Sequence, residues 1–422
     1  MSDDFQQRGG SPWGSPPGGG NGNGSGRGPT PPDVDKIIRE FQDKIKNFLL
    51  VRVNLLGKIG REIDITKKHI WIHASSLGEY ELAIPLIKEI KKNSNEKIIL
   101  TFFSESGFKL KKRIKEISYT YYLPIDTKYN AKEFIRIINP NISIFINQEI
   151  WPNYIEELKK KNIKSYLVNY TFNKATSKIL SSTIRKFNKV YVQDRISVEN
   201  MKRLGLNNIE CSGNLKFNIA FLQKDEVYKN DKLHGYLRGH KCIVCGSTWE
   251  RDEEIIINYI KEDKVKDIKY IIAPHMVNKK NIDRIKNKLG NEVNLLSDNI
   301  YNIHYNVLLV DSIGVLKYIY KFATISYIGG GFIKKGLHNI LESCIYGNPI
   351  IIGKNYKFFN EAKDLIDLKG CFSIKNSKEF HAIVNELIFN EKKRNKIQLI
   401  NCKFINDNLV SINKIIKSIK NE

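Results

Sequence analysis

Long apolar runs are missing: nowhere in the 422 residues do about 18 or more occur in succession, which excludes a membrane-spanning helix. The first thirty residues also lack an apolar core of the secretory kind, so no signal peptide is expected. Cysteine is sparse and unpatterned, at Cys211, Cys242, Cys245, Cys344, Cys371 and Cys402. The single C-x-x-C lies in the apolar run CIVCG, where a period of two sends Cys242 and Cys245 to opposite faces of a strand. That argues against a disulfide and against a shared metal, and leaves reduced, buried thiols. His304 and His338 have no Cys or His at ligand spacing, so no zinc site and no cofactor are expected. Acidic residues are outnumbered, 45 against 69 Lys and Arg, for a formal charge of +24. The excess points to a polyanion, either nucleic acid, anionic lipid or a phosphorylated substrate, although an Ile/Lys/Asn-rich composition accounts for much of the lysine. Hydrophobic residues reach 41%, with 20 Tyr and 20 Phe, which excludes wholesale disorder.

Residues 1–33 are rich in Gly, Pro, Ser and Asn and nearly free of large aliphatics; they read as a disordered tail. Within 34–60, an amphipathic stripe of Ile37, Ile38, Phe41, Ile45, Phe48 and Leu49 suits a membrane surface or packing on the chain's own domain. From His69 onward, short β-branched runs alternate with helical patterns. IWIHA precedes LGEYELAIPLIKEIKK, KIILTFF precedes SGFKLKKRIKEI, and ISIFIN precedes WPNYIEELKKK. The pattern restarts with CIVCGS, YIIAPH, VLLVD, ATISYIG and PIIIG. Two such blocks predict an α/β protein: two Rossmann-like, doubly wound parallel-sheet domains, over 61–220 and 221–422, facing a cleft. A last helix around Leu409 to Ile419 is expected to cross back to the first domain.

Chemistry-bearing residues cluster where strands end. HASSLGEYE, from His73, places Ser76, Gly78 and Glu79 at a strand-to-helix turn, where open α/β sheets bind ligands. Glu79 suits a first-turn carboxylate that complements the helix dipole, and also a general base for a hydroxyl nucleophile. In NQEIWPN, Glu149 at an apolar strand end needs a partner. Lys216 in GNLKFN has reach for a phosphate or carboxylate, or is simply solvated. Gly246-Ser247-Thr248 follows a strand and offers an anion site, an N-cap, or both. His275 ends the next strand in APH. The run YIGGGFIKKGLHNILE carries Gly329, Gly330 and Gly331, then Gly336, then a segment with helical spacing from His338. Glycines let amides approach a ligand, and a helix start favours an anion. Asn339 and Glu342, three apart, share a helix face, an amide for phosphate beside a carboxylate for ribose.

Taken in order, HASSLGE, LTFFSESG, YLPID, EIWPN, GNLKF, GST and GGGF…GLHNILE…YGNPIIIG resemble the 3-deoxy-D-manno-octulosonic acid (Kdo) transferases of lipopolysaccharide synthesis, from about Leu56 to Glu361. The resemblance implies a GT-B glycosyltransferase that uses CMP-Kdo as donor and a lipid A precursor (lipid IVA) as acceptor, with inversion at the anomeric carbon. Glu79 then matches the general base, and Glu149 joins it as a catalytic residue. The CMP group falls to Gly246, Ser247, Thr248, His275, Gly329–Gly331, Gly336, His338, Asn339 and Glu342, with Ser76, Gly78 and Lys216 on the acceptor or phosphate side. An anionic membrane surface and no nucleic acid are the implied partners, at the cytoplasmic face of a bacterial inner membrane, held peripherally. This chain departs from the pattern at Trp249, usually His, at Asn147-Gln148 in NQEIWPN, at Ala273, and at Val315 after Gly314. Its leader resembles the start of a membrane-protease regulator instead of a hydrophobic anchor. Other GT-B enzymes (a UDP-sugar transferase or an epimerase) fit the donor-side features as well, and a non-catalytic polyanion binder fits the charge.

Overall fold

The computed structural model describes residues 55–108, 115–226, 228–262, 267–290, 292–334 and 336–421. The expected tail and the Val34–Leu49 helix lie outside them. Asn54 to Glu422 form one compact unit.

Seven parallel strands make the first sheet: β1 (His69–His73), β2 (Lys97–Phe102), β3 (Tyr119–Tyr122), β4 (Pro140–Ile146), β5 (Lys164–Tyr170), β6 (Lys189–Val192) and β7 (Ile209–Cys211). Their order is β3-β2-β1-β4-β5-β6-β7. A second parallel sheet holds β8 (Lys241–Thr248), β9 (Ile268–Pro274), β10 (Val293–Leu295), β11 (Val307–Leu309), β12 (Ile325–Ile328), β13 (Ile350–Gly353) and β14 (Cys371–Ile374), in the order β10-β11-β9-β8-β12-β13-β14. Helices cover both faces, which is why β1, β9, β12 and β13 are buried along their whole length rather than alternating. Cys242 and Val244 of β8 face one core cluster, Ile243 and Cys245 the other. Both cysteines are free thiols whose burial pushes them up, far from thiolate reactivity.

The strand order reverses direction between β1 and β4 in the first sheet and between β8 and β12 in the second. Crevices at such switch points, beyond the carboxyl ends of the strands, are where open α/β sheets take ligands. HASSLGE leaves β1, NQEIWPN leaves β4, GST ends β8 and the three glycines leave β12. All four motifs therefore stand at the two switch points.

The last helix, Ile412–Asn421, packs against the first sheet's layer, with Ile415, Ile416 and Ile419 buried among Ile70, Leu82, Leu86 and Ile144. The Tyr166 hydroxyl donates to Ile419 O at 3.3 Å. Among the described residues no helix is long and apolar enough to cross a membrane.

Candidate active site

On the first sheet, β1 ends at His73 and the chain turns through Ser75, whose carbonyl accepts from Phe103 N (3.0 Å) and Ser104 N (2.8 Å). Ser76 then caps the helix Leu77–Asn93 and forms a capping box with Glu79. The Ser76 amide donates to Glu79 Oε2 at 3.0 Å, and the Ser76 hydroxyl donates to the same oxygen. The carboxylate thus meets the dipole of its helix, while its other oxygen has no protein partner among the described residues. Gly78 beside it is exposed.

Glu149 has the partner that its position demands. Its Oε2 lies 3.1 Å from His73 Nε2 and accepts from Trp151 Nε1 at 2.8 Å. His73 is fully buried, and its Nδ1 lies 2.9 Å from Thr101 Oγ1, which also accepts from Trp71 Nε1 at 2.8 Å. The ends of β1, β2 and β4 thereby fix one carboxylate. Sequence alone does not single out His73 and Thr101. Their partners are 28 and 76 residues away, so only the strand order brings them together.

On the second sheet, a bulge at the end of β8 turns Ser247 to φ 53°, and its hydroxyl has no protein partner among the described residues. Thr248 is different: its hydroxyl is buried and donates to Glu253 Oε1 at 3.2 Å. Two of the three glycines that follow β12 do not present free amides. Gly329 N–H donates to Gly246 O (2.9 Å), and Gly330 N–H donates to buried Asp252 Oδ2 (2.9 Å). Asp252 also accepts from Tyr327 Oη at 2.6 Å and Trp249 N at 2.9 Å. The glycines serve close packing: a Cβ on Gly331 would lie 2.5 Å from Gly353 N, and one on Gly246 would lie 1.9 Å from Tyr320 Oη.

The helix expected from His338 begins only at Leu341 and ends at Cys344. His338 N–H turns back to Gly329 O (3.2 Å), and Asn339 Oδ1 takes Leu341 N–H (3.1 Å), which leaves 338–340 as a turn. One helical turn carries little dipole, so an anion here would rely on side chains. Asn339 Nδ2 donates to Glu342 Oε1 at 3.2 Å. Burial pushes the Glu342 carboxyl up to about 7, against the pull of Asn339 and with a further push from Glu81. Glu81 sits two residues beyond Glu79, and burial raises its carboxyl while Lys317 opposes the shift.

A cavity of roughly 230 Å³ gathers Lys216, His338, Asn339 and Glu361, walled by Leu337 and Phe359. Gly336, at φ +84°, passes under the Phe359 ring, 2.7 Å from where its Cβ would be. Lys216 pairs with Glu361 at 3.7 Å, and Asn214 Nδ2 donates to the same carboxylate at 3.2 Å. His275 lies outside this wall, with its ring stacked on Trp249.

Two Rossmann-like sheets, each with its motifs at the switch point, define the GT-B class. The solved UDP-GlcNAc 2-epimerase of Neisseria meningitidis shares this fold at TM-score 0.63, with 12% identity over 84% of this chain and 100% of that one. A glycosyltransferase of Rickettsia africae ESF-5 does so at TM-score 0.54, with 14% identity over 84% and 98%. The family model 3-deoxy-D-manno-octulosonic-acid transferase matches residues 32–219, and a bacterial membrane protein N-terminal model matches 4–50. A 3-deoxy-D-manno-octulosonic acid transferase of Aquifex aeolicus is 31% identical over 79% of this chain and 89% of its own length; that of Rickettsia typhi is 30% identical over 82% and 78%. A bifunctional glycosyltransferase/methyltransferase of Fusobacterium nucleatum is 31% identical over 83% of the chain, which spans 57% of that protein. The chain belongs to the Kdo transferase family and is a glycosyltransferase.

Proposed function

We propose that the chain transfers Kdo from CMP-Kdo to a lipid A precursor in lipopolysaccharide synthesis, with inversion, working peripherally at the cytoplasmic face of the inner membrane. The acceptor binds over the first sheet and the donor over the second. Glu79 takes the proton of the acceptor hydroxyl on its unpartnered oxygen. The hydroxyl oxygen forms its bond to the anomeric carbon as the bond from that carbon to the phosphate oxygen breaks, and CMP departs with the electron pair. Ser247, Asn339 and Lys216 offer donors to the phosphate, and Glu342 an acceptor to the ribose, so charge on the leaving group meets fixed dipoles. Glu149, held by His73 and Trp151, stands at the same switch point as Glu79 and shapes the acceptor side. The basic surface suits a phosphorylated lipid in an anionic membrane.

The observation that supports this function most directly is the pairing, in a chain of this family, of a glutamate-capped helix at one switch point with a His/Asn-lined cavity at the other. Incubation with CMP-Kdo and a lipid A precursor, followed by mass spectrometry of the lipid, tests it. A gain of one or more Kdo masses is expected. An unchanged lipid with CMP-Kdo, beside a gain with a UDP-sugar, would overturn it.

A further inference from the structure

Trp249 takes no part in the proposed transfer, yet its amide, its ring N–H and its ring face all have partners. Its amide donates to Asp252 Oδ2 at 2.9 Å, and its indole lies over His275, with centroids 4.5 Å apart and planes 22° apart. Its ring N–H donates to His338 Nε2 at 3.0 Å. His338 is held in turn by the hydrogen bond its backbone N–H donates to Gly329 O and by Gly330, where a Cβ would lie 3.0 Å from the imidazole Cδ2. The His275 ring flanks it at 4.4 Å between centroids.

An indole nitrogen can only donate. A ring nitrogen that accepts from it bears no proton, so the neutral imidazole carries its hydrogen on Nδ1. Protonation at Nε2 would set two N–H groups head to head and break the bond. Burial and the neighbouring His275 hold His338 at about 4, so the ring is neutral at physiological pH. Among the described residues no protein group accepts from Nδ1, and His338 lines the cavity with Lys216 and Asn339.

We infer that Trp249 is a positioning residue that locks His338 in its Nδ1–H tautomer, so that the cavity meets the sugar nucleotide with a neutral donor aimed at an acceptor oxygen. The choice of ligand rests on the proposed donor site; the tautomer does not. Long-range nitrogen-15 spectra of the full chain, with His338 assigned by its loss in His338→Asn, read the proton position without substrate. Expected is a protonated Nδ1 and a bare Nε2, unchanged between about pH 8 and about pH 5. Trp249→Phe keeps a flat ring but no N–H. In it His338 samples both tautomers and titrates at higher pH, and KM for CMP-Kdo rises roughly 2- to 10-fold, the scale of one net hydrogen bond, with kcat nearly kept. A proton on Nε2 in the native chain overturns the inference even if the variant misfolds, as does a Phe variant with an unaltered tautomer. A locked tautomer in a chain that turns over no CMP-Kdo upholds Trp249's part and refutes the proposed reaction instead.

Discussion

Glu79 caps its helix, and the proposed reaction asks the same carboxylate to act as base; two substitutions separate the two tasks. Glu79→Gln keeps an oxygen for the Ser76 amide, so the cap survives while the base is lost. Transfer should fall by about 10²- to 10⁴-fold, with melting nearly unchanged. Glu79→Ala should lose transfer as well and about 0.5–2 kcal/mol of stability with its cap. Turnover and thermal denaturation of both variants check this, and substantial transfer by the Gln variant would remove Glu79 as base. Glu342 gives a pH signature. Its folded carboxyl, at about 7, binds a proton more tightly than the unfolded 4.5. The native state therefore holds more protons across that window, and stability is full below it and falls as pH rises through it. The loss should be about 1–2 kcal/mol, since water screens a partly exposed group, and Glu342→Gln should flatten it in pH-dependent melting. CMP binding should run the other way, strengthening above pH 7 as the carboxylate forms to accept ribose hydroxyls. Calorimetric titration of the native chain and of Glu342→Gln at acid and alkaline pH checks this; the same trend in both would mean that Glu342 has no part in binding. Among these residues, Glu149's need for a partner is readable from its apolar neighbours. His73's role is not, because its partners are supplied by β2 and the loop that leaves β4.

At the level of elements, the glycine run illustrates how one composition serves two physical ends. Along the chain, three glycines before a helical pattern suggest amides open to a ligand. Folded, the Gly329 and Gly330 amides answer Gly246 and Asp252, and the missing side chains let β12's exit cross β8 and β13 backbone to backbone. Gly331→Ala should therefore act on folding before binding. Its Cβ would sit against the Gly353 backbone, which has no rotamer through which to escape, and a loss of about 2–3 kcal/mol is expected. Chemical denaturation measures it; a variant as stable as the native chain but unable to bind CMP would restore the cradle. The helix at Leu341 is shorter than its sequence suggests for a related reason. Leu337, Ile340, Leu341, Cys344 and Ile345 are all buried, and that spacing looks helical although the first part is a turn held by Asn339. Periodicity reports which residues face inward, not which local hydrogen bonds form.

For the whole molecule, the alternation of apolar strands and amphipathic helices made both sheets legible, because parallel strands covered on two faces are largely apolar. Strand order could not be read that way, and it is the order that gathers the four motifs at two switch points. The final helix shows how the sheets depend on distant sequence. Ile415, Ile416 and Ile419 are buried against residues of the first sheet's layer more than 200 positions earlier in the chain, and Tyr166 donates to Ile419 O across a separation of 253. Burying one such side chain contributes about 1.5–3 kcal/mol. An aspartate at Ile416 would forfeit that and bring an unpaired charge against an apolar layer. Ile416→Asp should therefore loosen the first sheet, where Glu79 and Glu149 stand, while the second sheet keeps its protection. Hydrogen exchange read strand by strand distinguishes the outcomes. Faster exchange in β1, β4 and β5 with β8 and β12 unaltered is expected, together with lost transfer and retained CMP binding. Equal loosening of both sheets would mean that the helix stabilises the chain as one cooperative unit rather than the first sheet alone.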